Sequence, residues 1–143
     1  MSIANVLLVD DEVDFVETFS ERLIMRNLEI SKAFSGEEAL QVLETNKNIE
    51  VVILDVKMPG MDGIETLAEI KKKFPLVEVI MLSGQATVES AIEGMKQGAF
   101  DYLMKPCDMD KLMPKVTEAG AKKRQHEEKI IQARIKEITS RHI

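Results

Sequence analysis

Five polar side chains in this sequence each follow a short apolar run and together could bind a metal ion and a phosphoryl group. They are Asp10, Asp11, Asp55, Ser83 and Lys105. Carboxylates held close together repel one another, and a bound cation relieves that repulsion. Hard oxygen ligands without His or Cys favour Mg²⁺, which usually binds one or two carboxylates together with water and phosphate oxygens. These residue types therefore predict Mg²⁺-dependent phosphoryl chemistry.

Asp55 is the predicted nucleophile of this set. It ends the central apolar run beside the expected metal position, so its carboxylate could attack phosphorus and form an acyl phosphate. The ammonium of Lys105 and the hydroxyl of Ser83 could each bind a phosphoryl oxygen. Neither GxGxxG nor GxxxxGK[ST] occurs in the sequence, so we expect no bound nucleotide and a phosphoryl group supplied by another molecule.

The apolar runs have the pattern of strands in a parallel sheet. Residues 6–9, 51–54 and 79–82 are continuous and partly β-branched, as expected of strands buried on both faces. Residues 28–34 alternate polar and apolar, and 102–104 is short, so these two are the predicted edge strands.

Apolar residues at helical spacing follow each of the first four strands and predict amphipathic helices. The four stripes are Val13, Val16, Phe19 and Leu23; Ala39, Leu40 and Leu43; Ile64, Leu67, Ile70 and Phe74; and Val88, Ala91, Ile92 and Met95. Ser35 and Glu38 have the spacing of a capping box, and Asp108 could cap the last helix.

Strict alternation of strands and helices predicts an α/β fold of the doubly wound (βα)5 type, with helices on both faces of a parallel sheet. Two edge strands and right-handed crossovers give the flavodoxin-like strand order 2-1-3-4-5. Ligands bind such sheets beyond the carboxyl ends of the strands, near the first and third strands, where the order reverses. The polar groups that end four of the five strands could therefore share one site.

Composition limits the classes of protein to which the chain can belong. Its 143 residues form about one domain, and 45% hydrophobic with 31% charged residues is typical of a globular protein. The single cysteine, Cys107, cannot form an internal disulfide, and no Cys/His spacing fits zinc. Since there is no long apolar run and no signal-like start, we expect a cytoplasmic protein without membrane insertion.

Charge divides the chain into an acidic body and a basic tail. Residues 1–110 contain 10 Lys/Arg and 21 Asp/Glu, a net charge of −11, whereas residues 111–143 contain 9 and 4, a net charge of +5. A strongly acidic body disfavours direct binding of nucleic acid, which requires a basic surface.

The tail itself has a helical pattern that starts near Met109 and runs past Gly120. About 30 helical residues would measure about 45 Å, so the far end should project from the body. Ile131, Ile135 and Ile138 have the spacing of a short heptad seam that could pair with a second copy or dock on a partner; a solvated helix is the alternative. A helix-turn-helix output domain does not fit in these last residues.

Taken with their flanking residues, the polar positions resemble the receiver domain of two-component response regulators. The resemblance lies in Asp10-Asp11, in Asp55 within residues 54–63 (LDVKMPGMDG), in Ser83, and in residues 98–106 (GAFDYLMKP). It extends from residue 3 to about residue 120 in the same order and spacing. We therefore expect a receiver domain at 1–120 and a C-terminal helical extension at 121–143.

The resemblance implies a role for each acidic position. Asp55 would accept a phosphoryl group from a phosphohistidine of a sensor histidine kinase or a phosphotransfer protein. Asp10 and Asp11 would position Mg²⁺, with the main-chain carbonyl of Lys57 as a further ligand. Lys105 would bind the phosphate, and its peptide bond to the following proline would be cis.

The resemblance also implies a conformational switch at Ser83 and Tyr102. The hydroxyl would move toward a phosphoryl oxygen while the aromatic ring turns inward. The surface of helix 4 (the predicted helix with the stripe from Val88 to Met95), strand 5 (102–104) and helix 5 (from near Met109) would then control a downstream effector or self-association into a homodimer. Ser83 replaces the commoner threonine, and Gly84 follows it, which would tune the lifetime of the phosphoryl group.

On this interpretation the chain is not an enzyme, because it would catalyse only its own phosphotransfer and autodephosphorylation. Two alternatives stay open. One is a constitutive adaptor or dimeriser that acts through its tail. The other, an Mg²⁺ phosphatase with an aspartyl nucleophile, is disfavoured because Lys57, rather than an acid, stands two residues after Asp55.

Overall fold

The structure, a computed structural model, describes residues 2–85 and 87–141. Strands and helices alternate along this part of the chain, as predicted. In chain order they are β1 (Asn5–Val9), α1 (Val13–Ile24), β2 (Glu29–Ala33), α2 (Gly36–Thr45), β3 (Val51–Leu54), α3 (Gly63–Lys73), β4 (Glu78–Ser83), α4 (Val88–Lys96), β5 (Asp101–Met104) and α5 (Met109–Arg141).

The five strands form one parallel sheet in the order β2-β1-β3-β4-β5, which confirms the predicted flavodoxin-like topology. The register aligns the carboxyl ends of the central strands. Val9 at the end of β1 pairs with Leu54 at the end of β3, and Leu54 pairs with Met81 in β4. The residues that follow these strands are therefore carried to one edge of the sheet.

Apolar side chains fill the space on both faces of the sheet, and their removal from water is the main favourable contribution to folding. Every residue of β3 and β4 is buried, as expected of central strands. On α1, Val16, Phe19 and Leu23 are buried as predicted. Val13 was wrongly placed on that face: it begins the helix and is 54% exposed.

The first turns of α2 and α5 differ from the predicted capping by side chains. The hydroxyl of Ser35 accepts from the amide of Glu38 at 3.1 Å, which is one half of the predicted capping box. At the start of α5, the backbone carbonyl of Asp108 accepts from the amides of Lys111 and Leu112.

The predicted core-facing stripe of α4 is wrong. Val88, Ile92 and Met95 are 74%, 51% and 48% exposed, and the buried residue of this helix is Gly94. Gly94 faces the ring of Tyr102, where an added Cβ would lie 3.5 Å from the ring. The helix thus approaches the sheet through a position without a side chain, and its apolar stripe is left in solvent.

The last helix, α5, has 33 residues and a length of about 50 Å, as expected for the tail. Its buried positions end at Lys123, and Ile131, Ile135 and Ile138 are more than half exposed. The helix is continuous across residue 120, so the domain boundary placed there stays a prediction. In the part of the chain that the structure describes, no helix combines the length and apolar character needed to cross a membrane.

Candidate functional site

Three carboxylates meet at the carboxyl edge of the sheet. Oxygen atoms of Asp10, Asp11 and Asp55 lie within 4.8 Å of one another. Asp10 is 1% exposed and Asp55 is 7% exposed, whereas Asp11 is open to solvent. A cavity of about 300 Å³ lies here, lined by Asp11, Glu12, Asp55, Lys57, Ser83, Gly84, Gln85 and Lys105. The structure therefore brings together the acidic residues that the sequence singled out.

The ammonium of Lys105 faces this acidic group. Its Nζ lies 2.5 Å from Oδ2 of Asp10 and 3.9 Å from Oε1 of Glu12. The ring centroid of Phe15 is 4.0 Å away from the same nitrogen. The peptide bond between Lys105 and Pro106 is cis, as expected.

Backbone amides hold two of the carboxylates in place. The amide of Glu12 donates to Oδ1 of Asp10 at 3.0 Å, and the amide of Val56 donates to Oδ1 of Asp55 at 2.9 Å. Each bond fixes one oxygen of its carboxylate where the strand ends. The orientation of both side chains is thus determined by the local backbone.

Asp55 holds its proton unusually strongly. Burial and the negative charge of Asp10, with a smaller contribution from Asp11, raise its pKa from 3.8 to about 6. The positive charge of Lys105 and the hydrogen bond from Val56 act in the opposite direction and lower the pKa. The ionised carboxylate of Asp55 is therefore destabilised by its surroundings, and a cation bound there would relieve it.

Gly63, which the sequence analysis did not single out, controls how closely α3 approaches Asp55. A Cβ on Gly63 would overlap the carbonyl oxygen of Asp55 and lie 2.6 Å from Cα of Val56. The amide of Gly63 donates to the carbonyl of Val56 at 2.7 Å, and Asp62 caps the helix by accepting from the amide of Glu65. The only sequence signal for this packing was the Asp-Gly pair before a helical stretch.

Ser83 lies at the rim of the cavity on the end of β4. Its side chain is buried, and its hydroxyl accepts from the amide of Gln85 at 3.2 Å. The following residue, Gly84, is exposed, and a Cβ added there would approach no atom closer than 3.8 Å, at Lys105. The position after Ser83 is therefore open.

Tyr102 does not line the acidic cavity. Its ring packs between β5 and α4, and its hydroxyl lies 2.8 Å from Oγ of Ser90. Ser90 belongs to the first turn of α4, where it forms a reciprocal capping box with Thr87. A hydrogen bond thus connects Tyr102 to the start of α4.

The arrangement is suited to binding a hard divalent cation and an anion next to each other. Only oxygen atoms are offered by the acidic cluster, which matches the preference of Mg²⁺. The ammonium of Lys105 and the rim hydroxyl of Ser83 provide positive charge and a hydrogen-bond donor for the anion. Asp55 is largely buried but lines this cavity, so a reactant that enters the cavity would meet its carboxylate.

Comparisons with known proteins identify the family to which the chain is similar. Residues 6–117 match the family described as response regulator receiver domain. The chain is 40% identical over 115 residues to an NtrX-like response regulator of Rickettsia bellii, covering 79% of this chain and 24% of that protein. It is 38% identical over 122 residues to the transcriptional regulatory protein ZraR of Salmonella typhimurium, covering 85% and 27%.

Solved structures show the same fold. A receiver domain protein from Clostridium thermocellum superposes with a TM-score of 0.81 at 36% identity, covering 85% of this chain and 98% of that one. NtrX from Brucella abortus gives a TM-score of 0.79 at 32% identity, covering 88% and 29%. The chain spans about a quarter of the length of the curated relatives. It belongs to the receiver domains of two-component response regulators, a family of signalling proteins.

Proposed function

We propose that this chain accepts a phosphoryl group on Asp55 from the phosphohistidine of a sensor histidine kinase or a phosphotransfer protein. The observation that carries the proposal is the meeting of Asp10, Asp11 and Asp55 within 4.8 Å at a cavity that also contains Lys105. Family membership supports it, because phosphoryl acceptance is general to receiver domains.

In the proposed site, Asp10, Asp11 and Asp55 hold Mg²⁺ together with the main-chain carbonyl of Lys57. The all-oxygen donor set and the mutual repulsion of the carboxylates support this assignment. When bound, the ion neutralises part of the charge on the reacting oxygens. A bound cation would also favour the ionised form of Asp55, which would leave its carboxylate able to react at neutral pH.

The reaction is an in-line displacement at phosphorus. A carboxylate oxygen of Asp55 forms the new P–O bond, the P–N bond of the donor breaks, and its electron pair returns to the imidazole nitrogen. Lys105 turns from Asp10 toward a phosphoryl oxygen, and Ser83 donates a hydrogen bond to another. Hydrolysis of the acyl phosphate by water in the open cavity then returns Asp55 to its starting state.

Phosphorylation would act on partners through the surface of α4, β5 and α5. Ser83 and Lys105 would contact the phosphoryl oxygens in only one of two conformations of the domain. Because these contacts stabilise that conformation alone, phosphorylation shifts the equilibrium toward it. Tyr102 would reorient with Ser83 and disturb the start of α4. The exposed side chains of Ile92 and Met104 lie on this surface. We propose that it binds a downstream effector or a second copy of the chain.

A phosphoryl-accepting role also suggests the domain bounds, the location in the cell and the kind of effector. We propose a receiver domain at 1–120 and a helical extension at 121–143, acting in the cytoplasm without direct contact to nucleic acid. NtrX-like and ZraR relatives are longer regulators, so the effector would be either another protein or a further domain.

The direct test is incubation of the purified chain with acetyl phosphate and Mg²⁺, followed by intact mass measurement. One added phosphoryl group is expected in the wild type and none in Asp55→Asn. Asp14→Asn is the matched control, because Asp14 is an exposed acid in the first turn of α1, outside the cavity. An unmodified wild type, or modification of Asp55→Asn, would contradict the proposal.

A second candidate function is a constitutive adaptor or dimeriser. It is favoured by the exposed Ile131, Ile135 and Ile138 on the projecting part of α5, which form an apolar stripe outside the body. Sedimentation of the chain with and without phosphodonor distinguishes the two. An association that is unchanged by phosphodonor and by Asp55→Asn would support the adaptor.

A further inference from the structure

We propose that Phe15 is a positioning residue for Lys105, holding the ammonium at the acidic cavity through the face of its ring. The inference rests on the proposed function, in which Lys105 binds the phosphoryl group. Nζ of Lys105 lies 4.0 Å from the ring centroid of Phe15, well inside the range of a cation–π contact. Three other cation–π contacts in the described residues have distances of 5.2 to 5.9 Å.

The surroundings strengthen this contact. The Lys105 side chain is only 15% exposed, so its ammonium has lost much of its water, and cation–π attraction grows as the cation is desolvated. The ring is held from behind, because Phe15 stacks on Phe19 with centroids 4.9 Å apart and planes 17° from parallel. Phe19 is buried in the core. The ring therefore presents a fixed face.

The ring of Phe15 can hold the Lys105 ammonium without also binding the metal ion, which the acidic partners of Lys105 cannot do. Asp10 pairs with Lys105, but the same carboxylate is a proposed metal ligand and would be shared when an ion binds. A ring face attracts the ammonium without competing for the metal, and its attraction has little directional preference across the face. Phe15 can thus keep Lys105 in place while its anionic partner changes from Asp10 to the phosphoryl group.

The acidic pair and the ring of Phe15 are close together in the sequence. Asp10, Asp11 and Phe15 lie within one short segment that leaves β1 and enters α1, so one stretch of backbone sets both the carboxylates and the ring. Phe19 is one helical turn further on the same side. The acidic pair and the support for Lys105 are therefore positioned together.

The test replaces Phe15 by fluorinated phenylalanines, which keep the shape of the ring and progressively weaken its negative face, and by Tyr and Leu. The rate of phosphorylation by acetyl phosphate with Mg²⁺ should fall steadily with fluorination and about three- to tenfold in Phe15→Leu. Phe15→Tyr should keep nearly the wild-type rate. Phe100→Leu is the control, because Phe100 faces Lys122 instead.

A second measurement is independent of phosphorylation. The methylene protons next to Nζ of Lys105 should resonate upfield in the wild type, through the ring current, and return to ordinary values in Phe15→Leu. Equal phosphorylation rates across the fluorinated series and Phe15→Leu, in a wild type that is phosphorylated on Asp55, would overturn the role of Phe15 alone. A wild type with the upfield shift but no phosphorylation would overturn the proposed function instead.

Discussion

The hydroxyl of Tyr102 on β5 lies 2.8 Å from Oγ of Ser90, in the first turn of α4. Ser90 also accepts from the amide of Thr87 and completes the cap of that helix. One side-chain hydrogen bond therefore connects the proposed switch residue to the start of a helix whose apolar stripe is exposed. Any reorientation of the ring must break this bond.

A double-mutant cycle on Tyr102→Phe and Ser90→Ala measures this connection. Tyr102→Phe should lower the free energy of unfolding by about 0.5–1.5 kcal/mol, since it removes one partner of a half-buried hydrogen bond. Ser90→Ala should lower it by more, because it also removes the capping bond from the amide of Thr87. The double variant should lose less than the sum of the two, because both changes remove the same bond. Urea denaturation provides the values. Strictly additive losses would mean that the two hydroxyls do not interact in solution.

The raised pKa of Asp55 predicts how stability depends on pH in metal-free buffer. Between about pH 4 and pH 6 the folded state binds more protons at Asp55 than the unfolded state, whose pKa is near 3.8. The contribution of Asp55 to the free energy of unfolding therefore falls as pH rises through this window and is level above it.

Asp55→Asn removes this titration. The free energy of unfolding of the variant should match that of the wild type near pH 4 and exceed it at pH 7 by about 1–2 kcal/mol. This difference is smaller than the full pKa shift of Asp55 implies, because solvent reaches the site. Urea denaturation in EDTA at a series of pH values provides the comparison. A wild type as stable as the variant at pH 7 would show that ionised Asp55 is not destabilised.

Gly63→Ala should disturb the position of Asp55. The new Cβ would overlap the carbonyl oxygen of Asp55, so α3 must move away from the end of β3. Overpacking of this kind costs about 1–3 kcal/mol of stability, and the rate of phosphorylation should fall with it. Gly84→Ala is the matched control, since its Cβ has room, and its stability should change by less than about 0.5 kcal/mol. Equal behaviour of the two variants would contradict the packing argument.

Lys105 would compete with a bound metal ion for Asp10. Because Nζ lies 2.5 Å from Oδ2 of Asp10, binding of a cation must weaken or displace this pair. Lys105→Met removes the ammonium that would compete with the ion for Asp10. We expect this competition to weaken the free energy of Mg²⁺ binding by about 1 kcal/mol, so the variant should bind Mg²⁺ about fivefold more tightly, measured by calorimetry. Lys115→Met is the control, because Lys115 pairs with Asp101 instead. Weaker Mg²⁺ binding in Lys105→Met would show that the ammonium does not oppose the ion.

The sheet and the acidic cluster could be predicted from the sequence because both follow from simple rules. Buried runs such as 51–54 mark strands, parallel strands end at one edge, and residues after those ends meet. The sequence therefore predicts that Asp10 and Asp55 lie close together, as they do in the structure. The meeting of these carboxylates follows from strand order and register.

What the sequence analysis missed depends on close packing between distant parts of the chain. Helical spacing placed Val88, Ile92 and Met95 against the core, but periodicity does not say which side of a helix faces the sheet when Gly94 makes the contact. The contact of Phe15 with Lys105 joins residues 90 positions apart and has no local pattern, since an aromatic residue in a first helical turn equally suits a core.

The chemical location of the phosphoryl group shows whether Asp55 is the acceptor. After treatment with acetyl phosphate and Mg²⁺, borohydride reduces an aspartyl phosphate to homoserine, and peptide sequencing by mass spectrometry then identifies the position. Homoserine is expected at position 55 alone, and only when Mg²⁺ is present. Homoserine at Asp10 or Asp11, or at no position, would contradict it.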